Sequence, residues 1–231
     1  RTPLEGGSLW ANFFLRRFFR IYPLNSVAVC SVLLMNAPIT AWGAELPDRS
    51  PWSITANLLI AQELLGAQPV TAPLWSLPVE IQMYALLPAI FGWIGPTGSV
   101  RRAVQLWLGS VVLATLAMPL AMRLPMFAPC FLSGVIGFSL SHRVRPHLPF
   151  WLWPVTLAGL IGVYVGLTSL GSAVHSWPAA WVTCLLTGVL LPRFHETSSS
   201  LRLPAEWLAR YSYGVYLFHM PSLWVAFRVV T

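Results

Sequence analysis

The chain has 231 residues, 56% of them hydrophobic and only 9% charged, with a mean hydropathy of +0.67 and a formal net charge of +7. A soluble domain carries roughly 25% charged residues, so the composition excludes a soluble protein and describes an integral membrane one. All fourteen basic side chains are arginines. They sit in short clusters between apolar runs, which is the pattern of cytoplasmic loops and not of a nucleic-acid-binding face.

In chain order, the first marked stretch is "RRFFRIYPL", Arg16–Leu24. Arg16 and Arg20 are four apart and Arg17 and Arg20 three apart, so on a helix they share a face. Phe13, Phe14, Phe18 and Phe19 would then cover the lipid side. The segment reads as an interfacial amphipathic lead into a first span. Two readings of the arginines stand together: a positive-inside anchor, and a guanidinium grip on phosphate.

A bilayer core takes about 20 apolar residues as helix. Seven runs meet that description, at 21–43, 75–94, 104–122, 126–141, 150–170, 177–192 and 211–230. An eighth, at 52–65, is shorter and carries Asn57, Gln62 and Glu63. If it does not cross, eleven arginines share a side against three, Arg49, Arg123 and Arg228; if it crosses, the split is six against eight. The first arrangement obeys the positive-inside rule. It puts Arg16–Arg20 in the cytoplasm and 44–74 outside, with 52–65 lying on or dipping into the membrane.

The second marked stretch is "PLWSLPVEIQMYALLP", Pro73–Pro88. Trp75 suits an interface belt, Ser76 can cap the helix and Pro78 suits its first turn. Glu80 then lies about one turn into the membrane, with Tyr84 a turn deeper on the same face. A carboxylate there must be paired, hydrogen-bonded or protonated. It is either a structural contact between helices or a group that positions a polar substrate.

The third is "YSYGVYLFHMP", Tyr211–Pro221. Ser212, Tyr213, Tyr216 and His219 recur at helical spacing and form a polar stripe on the last span. Intramembrane polar groups are functional candidates, so this stripe is expected to line a wet cavity. His142, His147, His175 and His195 lie near loops and take no role. Cys30, Cys130 and Cys184 lie in apolar runs and read as packing residues, not as a disulfide frame or metal site. The chain has no G-x-S-x-G elbow, Walker loop, H-E-x-x-H or Cys-x-x-Cys motif, which argues against the usual serine hydrolases, ATP-driven pumps and metalloproteases.

Taken in order, the three stretches resemble acyltransferase family 3, the bacterial integral-membrane O-acyltransferases. Arg17-Phe18-Phe19-Arg20 matches the family's paired-arginine motif, "LWSLPVEIQMYALLP" and "YSYGVYLFHMP" match two further motifs, and "FAPCFLSGVIGFSL" resembles the glycine-containing helix between them. The resemblance covers nearly the whole chain. It implies an all-α, polytopic transmembrane fold in the inner membrane, as one acyltransferase domain over 1–231. It implies transfer of an acyl group, often acetyl, from cytoplasmic acyl-CoA to a hydroxyl of an envelope carbohydrate or glycolipid, with no metal.

On that resemblance Arg17 and Arg20, with Arg16 beside them, serve acyl-CoA. Trp75, Ser76, Tyr84, Ser212, Tyr213 and Tyr216 line the acceptor cavity, and Glu80 and His219 support catalysis. The family's catalytic histidine lies upstream of the paired arginines, and no residue here matches it. The chain is therefore expected to be a piece of a longer protein. A transporter or flippase of an envelope molecule, or a non-catalytic homologue, remain the competing classes; no internal repeat of the transporter kind is visible.

Overall fold

The computed structural model describes residues 6–40, 43, 45–95, 98–120, 122–169, 176–195 and 199–230. Arg1 and His175 lie outside the described residues. Among those described there are eight α-helices and no strand: α1 Gly6–Met35, α2 Pro51–Leu58, α3 Leu77–Ile94, α4 Val100–Ala117, α5 Arg123–Ser141, α6 Trp153–Ser169, α7 Ser176–Leu190 and α8 Ser199–Val230. Short 3-10 turns join some of them, notably Ala72–Ser76 ahead of α3.

Among the described residues five helical stretches are long and apolar enough to cross a membrane: Trp10–Met35, Ala72–Ile94, Val100–Leu120, Arg123–Ser141 and Phe150–Ser169. The polytopic all-helical class expected from composition is the one found. The count of seven spans is not reached on length and apolarity. α7 has 15 residues, about 22 Å at 1.5 Å per residue, against a hydrocarbon core of about 30 Å. α8 has 32 residues, but Arg202, Glu206 and Arg210 interrupt its first half and Arg228 its end.

The segment 52–65 holds no helix long enough to cross a membrane. α2 is eight residues long, about 12 Å, and Ser50 caps it by accepting a hydrogen bond from the Ser53 amide at 3.2 Å. Ahead of the cap, Asp48 accepts from the Ser50 amide at 2.9 Å and from its hydroxyl at 2.8 Å. These two bonds, the amide first, hold its carboxyl below the usual carboxylate range. α2 ends with Ile60 in the left-handed region, φ +56°, an uncommon conformation for a β-branched residue.

The first span differs from its expected bounds. α1 is one helix that runs through the arginine cluster and past Pro23, and it stops at Met35. Asn36 takes φ +54° and the Ala37 amide reaches back to the Val32 carbonyl at 3.1 Å, a left-handed cap followed by Pro38. Arg49 completes this end by donating to the Leu33 carbonyl at 2.8 Å and to the Asn36 side chain at 2.6 Å, a cation where the helix dipole favours one.

The chain divides into two compact units, Arg1–Ile81 with Arg202–Thr231, and Gln82–Leu201. In the second, α4, α5 and α7 pack closely. Trp181 donates to the Met126 carbonyl at 2.8 Å, and Gly188 lies against Ser133 and Gly137. Residue numbers rise together along both helices, so α5 and α7 run parallel. The Trp107 indole N–H donates to the Ser133 hydroxyl at 3.0 Å, tying α4 to the same seam.

Candidate functional site

Of the residues that the sequence marked as a site, all but Tyr84 fall in the first unit, on α1, the turn Ala72–Ser76, the first turn of α3, and α8; Tyr84 falls in the second. Arginine is a good helix former, so α1 continues through Arg16–Arg20. Arg16 and Arg20 are exposed and Arg17 half-buried. The Arg17 guanidinium lies 5.6 Å from the Phe13 ring and that of Arg20 6.0 Å from the Tyr213 ring, within the reach of cation–π attraction. Phe14, Phe18 and Phe19 are exposed, as expected of a lipid-facing side. Phe13 is half-buried instead, drawn under Arg17.

Three oxygens close a triangle between the 3-10 turn and α8. The Tyr216 hydroxyl lies 3.1 Å from the Pro73 carbonyl, and the Ser76 hydroxyl 3.2 Å from it. The two hydroxyls are 2.9 Å apart. Ser76 therefore bonds within its turn and across to α8. The cap role read from its position is not the one it takes, because the chain enters α3 directly from a 3-10 turn. Trp75 is half-buried beside it.

Glu80 sits in the first turn of α3, where the helix dipole favours a carboxylate. Tyr84 follows one turn on, and both side chains are half-buried. His219 Nδ1 is 2.6 Å from the Tyr216 carbonyl. A carbonyl only accepts, so Nδ1 is the donor in this contact. The Tyr216 and His219 rings are 5.9 Å apart.

The predicted stripe on α8 thus splits. Tyr213 and Tyr216 turn toward α1 and the 3-10 turn, while Ser212 is exposed and bonds back to the Ala209 carbonyl at 3.0 Å, the local alternative open to a helical serine. Ser212 is not brought to the other candidates.

Behind the turn lies a set of buried amides, of which the sequence marked Asn57 and Gln62 without a role and missed Asn25. Asn57, fully enclosed, donates to the Ser53 and Gln68 carbonyls at 2.9 Å each and accepts from the Val70 amide at 3.0 Å. Asn25 on α1 donates to the Asn57 carbonyl at 2.9 Å. Gln62 donates to the Leu74 carbonyl at 2.8 Å, and the Ala72 amide reaches the Ile39 carbonyl at 2.8 Å. Together they hold 68–74, and so the Pro73 carbonyl on which Tyr216 rests. The available sign was an amide, Asn25, inside an apolar run.

Among the described residues no three His, Cys, Asp or Glu side chains gather as a metal site would require. The contacts shown join Arg20 to Tyr213, and Tyr216 to Ser76, the Pro73 carbonyl and His219. Hydroxyls of this kind can hydrogen-bond a polar group, and guanidinium forks can pair with an anion.

The fold is that of a multi-pass helical membrane protein. The profile of the acyltransferase domain, acyltransferase family 3, matches residues 3–231. The chain belongs to that family and is a membrane acyltransferase in the general sense. No curated protein and no solved structure matches it.

Proposed function

We propose that this chain carries the membrane body of an O-acyltransferase of the bacterial inner membrane. It moves an acyl group, acetyl by preference, from cytoplasmic acyl-CoA to a hydroxyl of an envelope carbohydrate or glycolipid. The observation that carries the reading is the meeting of the three marked stretches in one unit: Arg20 on α1 stacks on Tyr213, and one turn along α8 Tyr216 bonds Ser76 and Pro73.

In this reading Arg17 and Arg20, with Arg16 adding charge, hold the phosphates of the donor. Stacking on an aromatic ring orders a guanidinium while leaving its N–H fork for phosphate. The thioester carbonyl then extends toward Tyr213 and Tyr216. Trp75, Ser76 and Tyr84 serve the acceptor, where the Ser76 and Tyr84 hydroxyls and the Trp75 indole N–H orient a sugar hydroxyl. The acceptor oxygen attacks the thioester carbon directly, its proton passes to a general base, and CoA leaves as the thiol. Glu80 and His219 assist by orienting groups and accepting hydrogen bonds, His219 through Nε2. The family places its base histidine on a helix ahead of the paired arginines, so none of the residues discussed here is assigned that role.

The test is Arg20→Ala in the full-length protein, with transfer of labelled acetyl from acetyl-CoA to the envelope fraction as the readout. The KM for acetyl-CoA is expected to rise by about tenfold or more, since a charged hydrogen-bonding partner is worth roughly 1.5–3 kcal/mol. An unchanged KM would remove the phosphate grip from Arg20.

A further inference from the structure

Within the second unit, an open groove of about 440 Å³ runs between α3 and α5. Leu87, Ile90, Phe91 and Ile94 form one wall, and Phe131, Gly134, Val135 and Phe138 the other. Its lining is wholly apolar in residue type. Gly134 is exposed, and a Cβ placed on it would meet nothing within 4 Å, so the groove is kept open where a side chain would close it. Leu87 to Ile94 spans about 10 Å along a helix. That is the depth of part of one leaflet of a hydrocarbon core of about 30 Å, not of the whole membrane.

One end of the groove is basic. Phe91 and Phe138 stand 5.9 Å apart, and the His142 ring packs on Phe138 at 4.7 Å. Gly98 lies against Ser139, so the loop between α3 and α4 adjoins the end of α5. Arg102 on that side donates to the Trp93 carbonyl at 2.8 Å, one residue from the groove wall, and remains exposed. Arg101, Arg143 and Arg145 are exposed at the same helix ends. Residues 82–201 contain a single acidic residue, Glu196, so these four cations have almost no carboxylate in their own unit to balance them. A one-leaflet apolar slot with uncompensated arginines at its mouth has the charge pattern of an amphiphile with an anionic head.

We propose that this groove holds one acyl chain of an anionic phospholipid from the arginine-side leaflet, with the headgroup phosphate on Arg102 and Arg143. The groove lies within the second unit, and the proposal does not depend on the transferase reading. The lipid is resident: it is neither donor nor acceptor. Guanidinium forks suit phosphate, and the remaining arginines, Arg101 and Arg145, add attraction at the leaflet surface.

The experiment is native mass spectrometry of the full-length protein in detergent, titrated with phosphatidylglycerol or with phosphatidylcholine of the same chain length. Phosphatidylglycerol should bind at least tenfold more tightly. Arg143→Gln should weaken it roughly 5-fold, the value of one arginine at a membrane surface, and R102Q/R143Q should bring the two lipids level. Gly134→Leu fills the slot, so it should lower binding of phosphatidylglycerol while leaving the melting temperature in lipid-free detergent unchanged. Equal affinity for the two lipids in the unaltered protein would overturn the proposal. So would selectivity that survives both R102Q/R143Q and Gly134→Leu.

Discussion

Asn57 uses its whole amide: both N–H groups donate to carbonyls and the oxygen accepts from Val70, with no exposure to solvent. Replacing it with leucine leaves the Val70 amide buried without a partner, at about 1–3 kcal/mol, and takes the donor from the part-buried Gln68 carbonyl. Asn57→Leu is therefore expected to lower the melting temperature of the purified protein in detergent. Asn57→Ser, which retains one donor and one acceptor, should lose less. If Asn57→Leu melts like the parent, the amides do not hold the 68–74 segment as described. At this scale the sequence was partly legible. Arg17, Arg20, Glu80, Tyr213 and Tyr216 stood out because each is polar in an apolar setting, a pattern visible without coordinates. The bonds of Asn25 and Gln62 join backbone carbonyls 32 and 12 residues away, and no local pattern announces them. Ser212 had the same spacing as its neighbours but spends its hydroxyl on its own helix.

At the scale of elements, the helices were found more readily than their ends. The arginines of α1 were read as the border of a span, yet an arginine interrupts hydrophobicity without interrupting a helix. The C-terminal end was set by Asn36 and Pro38, and by Arg49 from a distant loop. Arg49 had been counted only as one of three arginines on the minority side; its bonds to the end of α1 account for its presence there. Arg102 plays the same part on α3, and Arg193, which bonds the Val189 carbonyl, on α7. The α5–α7 seam gives a sharper prediction. A Cβ on Gly188 would run into the Ser133 carbonyl, and one on Gly137 would come within 2.8 Å of the Gly188 carbonyl. Small residues let membrane helices approach closely. Gly188→Ala should therefore destabilise by about 1–3 kcal/mol through overpacking, read as a lower midpoint of thermal unfolding. Gly159→Ala on α6, where a Cβ meets nothing within 4 Å, should leave the midpoint unchanged. Equal behaviour of the two variants would contradict the close approach.

For the whole molecule, composition alone established a polytopic helical membrane protein, and the order of three short motifs led to the family that the profile match then showed. What composition could not settle was the number of crossings. That depends on where helices stop, and α2, α7 and α8 differ from the other five in length or polarity. The transferase reading makes the two faces of the membrane unequal: the arginine-rich face meets the donor, and the acceptor side carries Glu80 and the turn before it. Sealed membrane vesicles of known orientation test this most directly. Labelled acetyl-CoA is supplied from outside, and label is sought in envelope carbohydrate, with and without the full-length protein. Protein-dependent labelling is expected in inverted vesicles, whose exposed face is cytoplasmic, and none in right-side-out vesicles. Labelling only in right-side-out vesicles, or glycan movement across the membrane with no label transfer in either, would contradict the transferase reading.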